Sequence, residues 1–230
     1  MKKEKVFFVI AAYNEGKSIF EVINGLKKKG YLNIIVVDDG SVDNTYSESK
    51  KAGATVLRHI INRGQGAALQ TGMSYALENG ADIIVHFDAD NQQRIEDIPR
   101  MLEPVVSGKY DVSLGSRFLD NKNEDNIPLL RKFLLKGSVI VQNIFYGVKL
   151  TDAHNGFRVL SRNAAKKIKI TMDRMAHASE IIEEIKNKNL KYKEVPVIIR
   201  YDNETLKKGH GGFRQAMKIF YNMILKKIMR

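Results

Sequence analysis

Asp88 and Asp90 stand two residues apart at the end of an apolar run, Ile83 to Phe87, and the amide of Gln92 follows two residues further on. The run reads as a buried strand. Carboxylates this close repel, so placing both at one strand end is costly unless a cation joins them. Hard oxygen donors suit Mg²⁺ or Mn²⁺, which take one or two carboxylates and complete their shells with substrate phosphates and water. In an open α/β sheet, ligands bind beyond the carboxyl ends of the strands. The competing interpretation is a polar turn in which Asp88 or Asp90 caps the next helix. An isolated D-x-D arises often by chance, so the rest of the chain must decide.

The elements that would position this pair can be traced in order. Lys5 to Ala12 reads as a first strand apolar enough to be buried on both faces, followed by the turn Tyr13-Asn14-Glu15-Gly16 and a helix from Ser18 to about Lys29. Ile34 to Val37 is a second strand, ending in Asp38-Asp39-Gly40-Ser41, and Asp43-Asn44-Thr45 opens the next helix. Thr55 to Leu57 is a short third strand. Asn62-Arg63-Gly64-Gln65-Gly66 is a glycine loop feeding a helix to about Leu77. It is neither a P-loop nor a dinucleotide fingerprint. It is read either as a tight turn or as backbone approaching a ligand at a helix N-terminus. After the Asp88 strand come a helix from Ile95 to Val106 and a strand from Asp111 to Leu114, ending in Gly115-Ser116-Arg117. Strands alternating with helices over roughly the first 115 residues predict βα units around a parallel sheet. Four strand ends then bring Tyr13 and Glu15, Asp38 and Asp39, Asp88 and Asp90, and Ser116 and Arg117 to one edge.

The second half is read more coarsely. Ile127 to Val148 has a helical pattern carrying Arg131, Lys132 and Lys136, and Thr151 to Arg158 is a polar loop containing Asp152 and His154. Ala178 to Lys188 is a helix in which Glu180 could face inward, and Lys193 to Tyr201 is an edge strand because of Pro196. His154 is better explained as a hydrogen-bonding loop residue than as a metal ligand.

Composition bounds the answer. The chain of 230 residues has 43% hydrophobic residues, a formal charge of +12 and no cysteine, which excludes disulfides, thiolate nucleophiles and cysteine metal sites. No apolar stretch approaches the ~20 residues that span a bilayer, and the first residues lack the apolar region of a signal peptide. No acid follows Glu204, whereas Lys207, Lys208, Arg214, Lys218, Lys226, Lys227 and Arg230 are basic. Phe213, Met217, Phe220, Ile224 and Ile228 share one helical face, with Arg214, Lys218, Asn222 and Lys226 opposite. This is either a terminal helix docked on the core or a basic amphipathic helix lying on an anionic membrane.

Together the motifs resemble those of family 2 glycosyltransferases of the GT-A fold. The branch they resemble most contains dolichyl-phosphate mannose synthases and polyprenyl-phosphate or cell-surface polysaccharide glycosyltransferases. Ile10 to Glu15 is similar to an opening I-P-A-Y-N-E with Ala11 in place of proline, and Val37 to Thr45 to V-D-D-G-S-x-D-x-T. Asn62 to Ala67 matches N-x-G-x-G-x, Asp88 to Gln92 matches D-A-D-x-Q, and Gly115 to Arg117 matches G-S-R. Asp152 with Gly156-Phe157-Arg158 matches D-x-x-x-G-F-R. The tail, Asn203 to His210, departs from the Y-S-x-x-K-G-Q of that family, which leaves its acceptor contacts open.

The resemblance implies one GT-A domain, an α/β fold with a mainly parallel sheet flanked by helices and a C-terminal amphipathic helix. Residues 1–117 would form the nucleotide-sugar half, 118–204 the acceptor side, and 205–230 the basic tail. It implies a UDP- or GDP-linked sugar donor, inverting transfer in cell-surface glycan synthesis, and Mg²⁺ or Mn²⁺ on Asp88, Asp90 and Gln92. Ala11, Tyr13, Glu15, Asp38, Asp39, Asn62, Gly64, Gly66, Asp88, Ala89 and Arg117 would hold the donor. A polyprenyl-phosphate acceptor would meet Arg117, Arg131, Lys136, Arg158 and Arg200, whereas a hydroxyl acceptor would need a base, for which Asp152 is the first candidate beside the catalytic Asp90. The protein is expected in the cytoplasm, peripheral on the inner face of the membrane. A nucleotidyltransferase and a nucleic-acid-binding module are the alternatives. The first lacks a glycine-rich basic signature near the first strand, and the second lacks a recognition motif or stacking aromatics.

Overall fold

The computed structural model describes residues 4–119, 139, 147–152, 155–173 and 176–200. Seven strands form one sheet: β1 (Val6–Ala12), β2 (Asn33–Asp38), β3 (Thr55–Arg58), β4 (Ile83–His86), β5 (Val112–Ser116), β6 (Arg158–Ser161) and β7 (Tyr192–Pro196). Their spatial order is β3-β2-β1-β4-β6-β5-β7. The β1–β2, β1–β4, β2–β3 and β5–β7 pairings are parallel. Both pairings of β6, to β4 and to β5, are antiparallel.

This arrangement follows from where apolar side chains can go. Alternation along β1 sends Phe7 and Val9 to one face and Phe8 and Ile10 to the other, and both faces are covered. One layer contains α3 (Gln65–Glu78), α5 (Arg162–Lys167) and α6 (His177–Asn187). Opposite lie α1 (Ile19–Lys28) and α4 (Ile98–Val106), with α2 (Thr45–Lys51) packed on α1. The sequence placed α1 and α3 within one or two residues of these bounds, and the start of α2 at Asp43 to Thr45. The helix expected from Ile95 begins as a 3₁₀ turn, Ile95–Asp97, before α4 takes over.

Two features differ from the expectation. β6 lies within and just after the stretch read as a polar loop, and it inserts between β4 and β5. Its four residues carry too short an apolar run to announce a strand. Because β6 runs against its neighbours, its amino end lies at the edge where the other strands finish, which brings Asp152 to Arg158 there. The edge strand β7 stops at Pro196, and Gln93 and Ile199 then form an isolated antiparallel bridge. The helical expectation for residues 127–148 falls mostly, and that for the tail entirely, outside the described residues. Among the described residues, no helix is long and apolar enough to cross a membrane.

Helix α3 lies close over the sheet. A Cβ on Gly72 would strike Val9 Cγ1 and sit 3.2 Å from Val37 Cγ2. Both valines are fully buried, so the contact cannot relax without moving the core. Gly72→Ala is therefore expected to destabilise the protein by about 1–3 kcal/mol, lowering Tm by roughly 3–10 °C. Thermal unfolding by circular dichroism measures this, and an unchanged Tm would refute the close approach.

Candidate active site

A cavity of about 520 Å³ opens at the carboxyl edge of the parallel strands. Ala11, Tyr13, Glu15, Asp39, Asn62, Gly64, Asp88, Ala89, Asp90, Gln92, Arg117 and Arg158 all line it, together with Asn155, Gly156, His177 and Ile199. Most of the residues singled out from sequence thus converge on one space. Asp38, Gly66, Asp152 and Arg200 do not line it, while Arg131 and Lys136 lie outside the described residues.

At the β1–β2 end, the V-D-D-G-S-V-D-N-T motif stitches loops together. Asp38 is fully buried, accepts the Ser41 amide at 2.9 Å and pairs with Arg58 Nε at 3.1 Å, so its place is structural. Ser41 Oγ accepts the Asn14 amide and Thr45 Oγ1 accepts the Glu15 amide, which fixes the turn after β1. Asp39 faces the β3–α3 loop. Its Oδ1 is 2.6 Å from His59 Nδ1 and accepts the Arg63 amide, and its Oδ2 accepts the Gly64 amide at 2.6 Å. His59 Nε2 reaches Thr71 Oγ1 at 3.0 Å, tying the loop to α3. Gly64 has φ of 107°, a region that favours glycine.

Of the two readings of the glycine loop, the amides of Gly66 and Ala67 fit the tight turn and helix start, since both are taken within the protein. The amides of Gly66 and Ala67 donate to the Asp173 carbonyl at 2.7 and 3.3 Å. Gly66 is glycine because a Cβ there would collide with the Met172 carbonyl. The loop contributes Asn62, Gly64 and Gln65 to the cavity, while Gly66 packs the helix.

The carboxylate pair is held from several sides. Gln93, buried and missed in the sequence, donates from Nε2 to Asp88 Oδ2 at 2.5 Å and accepts the Asp88 amide at 3.1 Å. Asp90 Oδ1 accepts the Gln92 amide. A Cβ on Gly156 would lie 2.6 Å from Asp88 Oδ2, so no larger residue fits behind that carboxylate. Burial, then repulsion from Asp90, pushes the Asp88 carboxyl up to about 7. Arg158 offsets part of this while its own guanidinium is brought down to about 10 by burial. Nη1 of Arg158 and Nδ2 of Asn155 are buried at the cavity without hydrogen-bond partners.

Across the cavity, Arg117 is set by Asp152. Its Nε and Nη2 donate to Asp152 Oδ2 and Oδ1 at 2.6 and 2.8 Å, and its amide donates to Oδ2 at 3.1 Å. Asp152 is in turn placed by Glu194 on β7, which accepts the amides of Thr151 and Asp152 at 2.9 and 3.0 Å. Arg200 is exposed, lies 3.9 Å from Glu96, and donates its amide to the Gln92 carbonyl. It braces the Asp90–Gln92 turn through its backbone.

Residues 7–169 match the model of glycosyl transferase family 2. The chain belongs to that family. This glycosyltransferase is 33% identical to a UDP-N-acetylglucosamine–dolichyl-phosphate N-acetylglucosaminyltransferase of Methanococcus voltae, over 99% of this chain and 98% of the relative. It is 30% identical to a dolichol-phosphate mannosyltransferase of Pyrococcus furiosus, over 94% of this chain and 63% of that one. Its GT-A fold is shared with glucosyl-3-phosphoglycerate synthase of Mycobacterium tuberculosis, whose structure with Mn²⁺, UDP and phosphoglyceric acid superposes with a TM-score of 0.70 at 16% identity. That likeness covers 96% of this chain and 78% of the other.

Among the described residues, no group of three or more His, Cys, Asp or Glu side chains could hold a metal ion alone. Two carboxylates and the Gln92 amide fit a hard cation that takes its remaining ligands from diphosphate and water. Burial, then repulsion from Asp90, raises Asp88, and such a cation would relieve the repulsion.

The same repulsion makes a prediction. Without metal, the folded glycosyltransferase keeps a proton on Asp88 up to about pH 7, whereas the unfolded chain releases it near 3.8. Stability of the metal-free protein should therefore fall as pH rises from about 4 to about 7. Asp88→Asn removes that slope. Its Tm in chelator should exceed the wild-type value by several degrees at about pH 8 and converge with it in acid. Parallel Tm-against-pH curves for the two proteins would refute the assignment.

Proposed function

We propose that this glycosyltransferase moves a sugar from a nucleoside diphosphate sugar to a polyprenyl phosphate of the dolichyl type, with inversion and with Mg²⁺ or Mn²⁺. The observation that carries the reading is the state of Asp152. A hydroxyl acceptor needs a base, and Asp152 was the candidate. Both of its oxygens are committed to Arg117, and it does not line the cavity. An acceptor phosphate is already an anion and needs cations instead. Arg117 and Arg158 supply them beside the carboxylate pair, and the unpartnered Nη1 of Arg158 is a donor free for an oxyanion.

At the donor end, Ala11, Tyr13, Glu15 and Asp39 would receive the base and ribose, with Asp39 rigidly aimed by His59. A cation on Asp88, Asp90 and Gln92 would neutralise negative charge on the departing diphosphate. Arg117 and Arg158 would draw in the acceptor phosphate and hold one oxygen toward the anomeric carbon. That oxygen forms the new C–O bond from the face opposite the diphosphate, and the nucleoside diphosphate leaves with the electron pair of the broken bond. The names of the M. voltae and P. furiosus relatives support a lipid-phosphate acceptor. The Mn²⁺ and UDP named with the M. tuberculosis structure support the metal and the nucleotide. UDP-N-acetylglucosamine is the first donor to try and GDP-mannose the second, on the inner face of the membrane.

Transfer is measured with radiolabelled nucleotide sugars and a detergent-dispersed polyprenyl phosphate, with and without Mg²⁺ or Mn²⁺. Asp90→Ala should reduce turnover by about 10³-fold or more while leaving the far-ultraviolet circular dichroism unchanged. Metal-independent transfer by that variant at the wild-type rate would sink the metal role.

Asp152→Asn separates the two acceptor classes. If Asp152 only aims Arg117, KM for the lipid phosphate should rise about tenfold, with the acid limb of the pH–rate profile unmoved. A collapse of kcat with loss of an ionisation from that profile would instead make Asp152 the base of a hydroxyl transferase.

A further inference from the structure

Large apolar side chains left in water are unevenly distributed over this protein. Seven are exposed among the described residues. Five of them, Tyr13, Val42, Ile60, Ile61 and Leu119, lie in the loops that follow β1, β2, β3 and β5, on the edge bearing the cavity. Leu32 and Val106 lie at the opposite edge. Ile60 and Ile61 stand out because they are consecutive and 99% and 69% exposed.

Their exposure is imposed by a clamped loop. The His59 amide donates to the Asp38 carbonyl at 2.9 Å and its ring spans Asp39 and Thr71. On the other side, the amides of Arg63 and Gly64 donate to Asp39. Beneath, Gly40 lets the backbone of Ile61 and Asn62 come so near that a Cβ would lie 2.8 Å from it. The two isoleucines therefore form a fixed tip pointing away from the core. Arg58 and Arg63 bracket the tip, each with about half of its side chain exposed. The next residue, Asn62, lines the cavity.

A fixed pair of bare isoleucines between two arginines, at the mouth of a cavity, matches a surface that is apolar inside and anionic outside. The residues are spread over several loops around the cavity edge. A planar partner touches them together, and the formal charge of +12 favours an anionic one. We propose that these loops seat the enzyme on an anionic bilayer with Ile60 and Ile61 immersed in the interfacial layer, so that the cavity opens toward the membrane. The proposal rests on the lipid-phosphate acceptor argued above and adds the face and the residues that meet the lipid.

The protein has no tryptophan, so a single one introduced at a chosen place reports on that place alone. Full-length Ile61→Trp and Leu32→Trp proteins are mixed with vesicles of phosphatidylcholine and phosphatidylglycerol, and with vesicles of phosphatidylcholine alone. Ile61→Trp emission should shift to the blue on the mixed vesicles and become shielded from acrylamide, while Leu32→Trp stays unchanged. The double variant Ile60→Ser, Ile61→Ser should bind mixed vesicles about tenfold more weakly and still transfer sugar to a detergent-dispersed acceptor at the wild-type rate. A silent Ile61→Trp on vesicles that do sediment the protein would overturn the proposal. So would a blue shift that needs no vesicles and grows with protein concentration, which would assign the tip to a second copy. The two readings fail separately. Transfer in detergent with a silent tryptophan removes the docking alone, and a blue shift without transfer to polyprenyl phosphate keeps the docking and removes the acceptor.

Discussion

The architecture turns on keeping a carboxylate where carboxylates are unwelcome. Asp88 is partly buried beside Asp90, and both burial and its neighbour's charge resist its ionisation. Three devices hold it there. Gln93 grips both its backbone and its side chain. Arg158 supplies a compensating charge from β6. Gly156 provides the space. Two of the three arrive on the reversed strand, so the topology and the electrostatics of the site are one problem. A parallel strand beside β4 would carry its amino end, with Gly156 and Arg158, to the far edge of the sheet. An antiparallel β6 sets Arg158 opposite His86 in register and delivers the preceding loop to the catalytic edge.

A second tier of contacts runs inward from the edge strand. Glu194 fixes the loop at Thr151 and Asp152, Thr151 Oγ1 sits 2.6 Å from Ser116 Oγ, and Asp152 fixes Arg117 at its amide and its guanidinium. Burial raises the Glu194 carboxyl, which the amides of Thr151 and Asp152 partly offset. Each carboxylate in this series orients the next group rather than reaching the cavity. Bidentate pairing also removes the rotamer freedom of an arginine that would otherwise have to be ordered by its ligand.

What the sequence made legible, and what it hid, follow from the same geometry. Buried runs such as Val6 to Ala12 and Ile83 to His86 announce parallel strands, and polar residues at their ends announce the edge. Which polar residue faces the ligand depends on the phase of the strand end, where neighbours point apart. Hence Asp38 and Asp39 are alike in sequence, yet one is sealed against Arg58 and the other faces the cavity. Gln92 and Gln93 divide in the same way, one lining the cavity and the other holding Asp88. Gly66 and Asp152 belong to motifs that mark the site without entering it, since their work is close packing and orientation. Such roles depend on contacts with Met172 and Arg117, far away in the chain, which no local pattern reports. His59, Asn155 and Glu194 carried no signal beyond their residue types.

The cavity is divided into walls of opposite charge, Asp88 and Asp90 on one and Arg117 and Arg158 on the other. Its wall of Asp88 and Asp90 repels anions, a repulsion that a cation between them would relieve. Its arginine wall attracts an anion without help. His86 does not line the cavity but is buried opposite Arg158 in the sheet, and neither ring nitrogen has a hydrogen-bond partner. Burial, followed by the charges of Arg158 and His177, holds it well below the ordinary histidine value. A charged imidazole there would stand against the Arg158 guanidinium with no hydrogen-bond partner for either ring nitrogen. Kept neutral, His86 leaves the Arg158 guanidinium as the nearby charge on β6 that offsets Asp88.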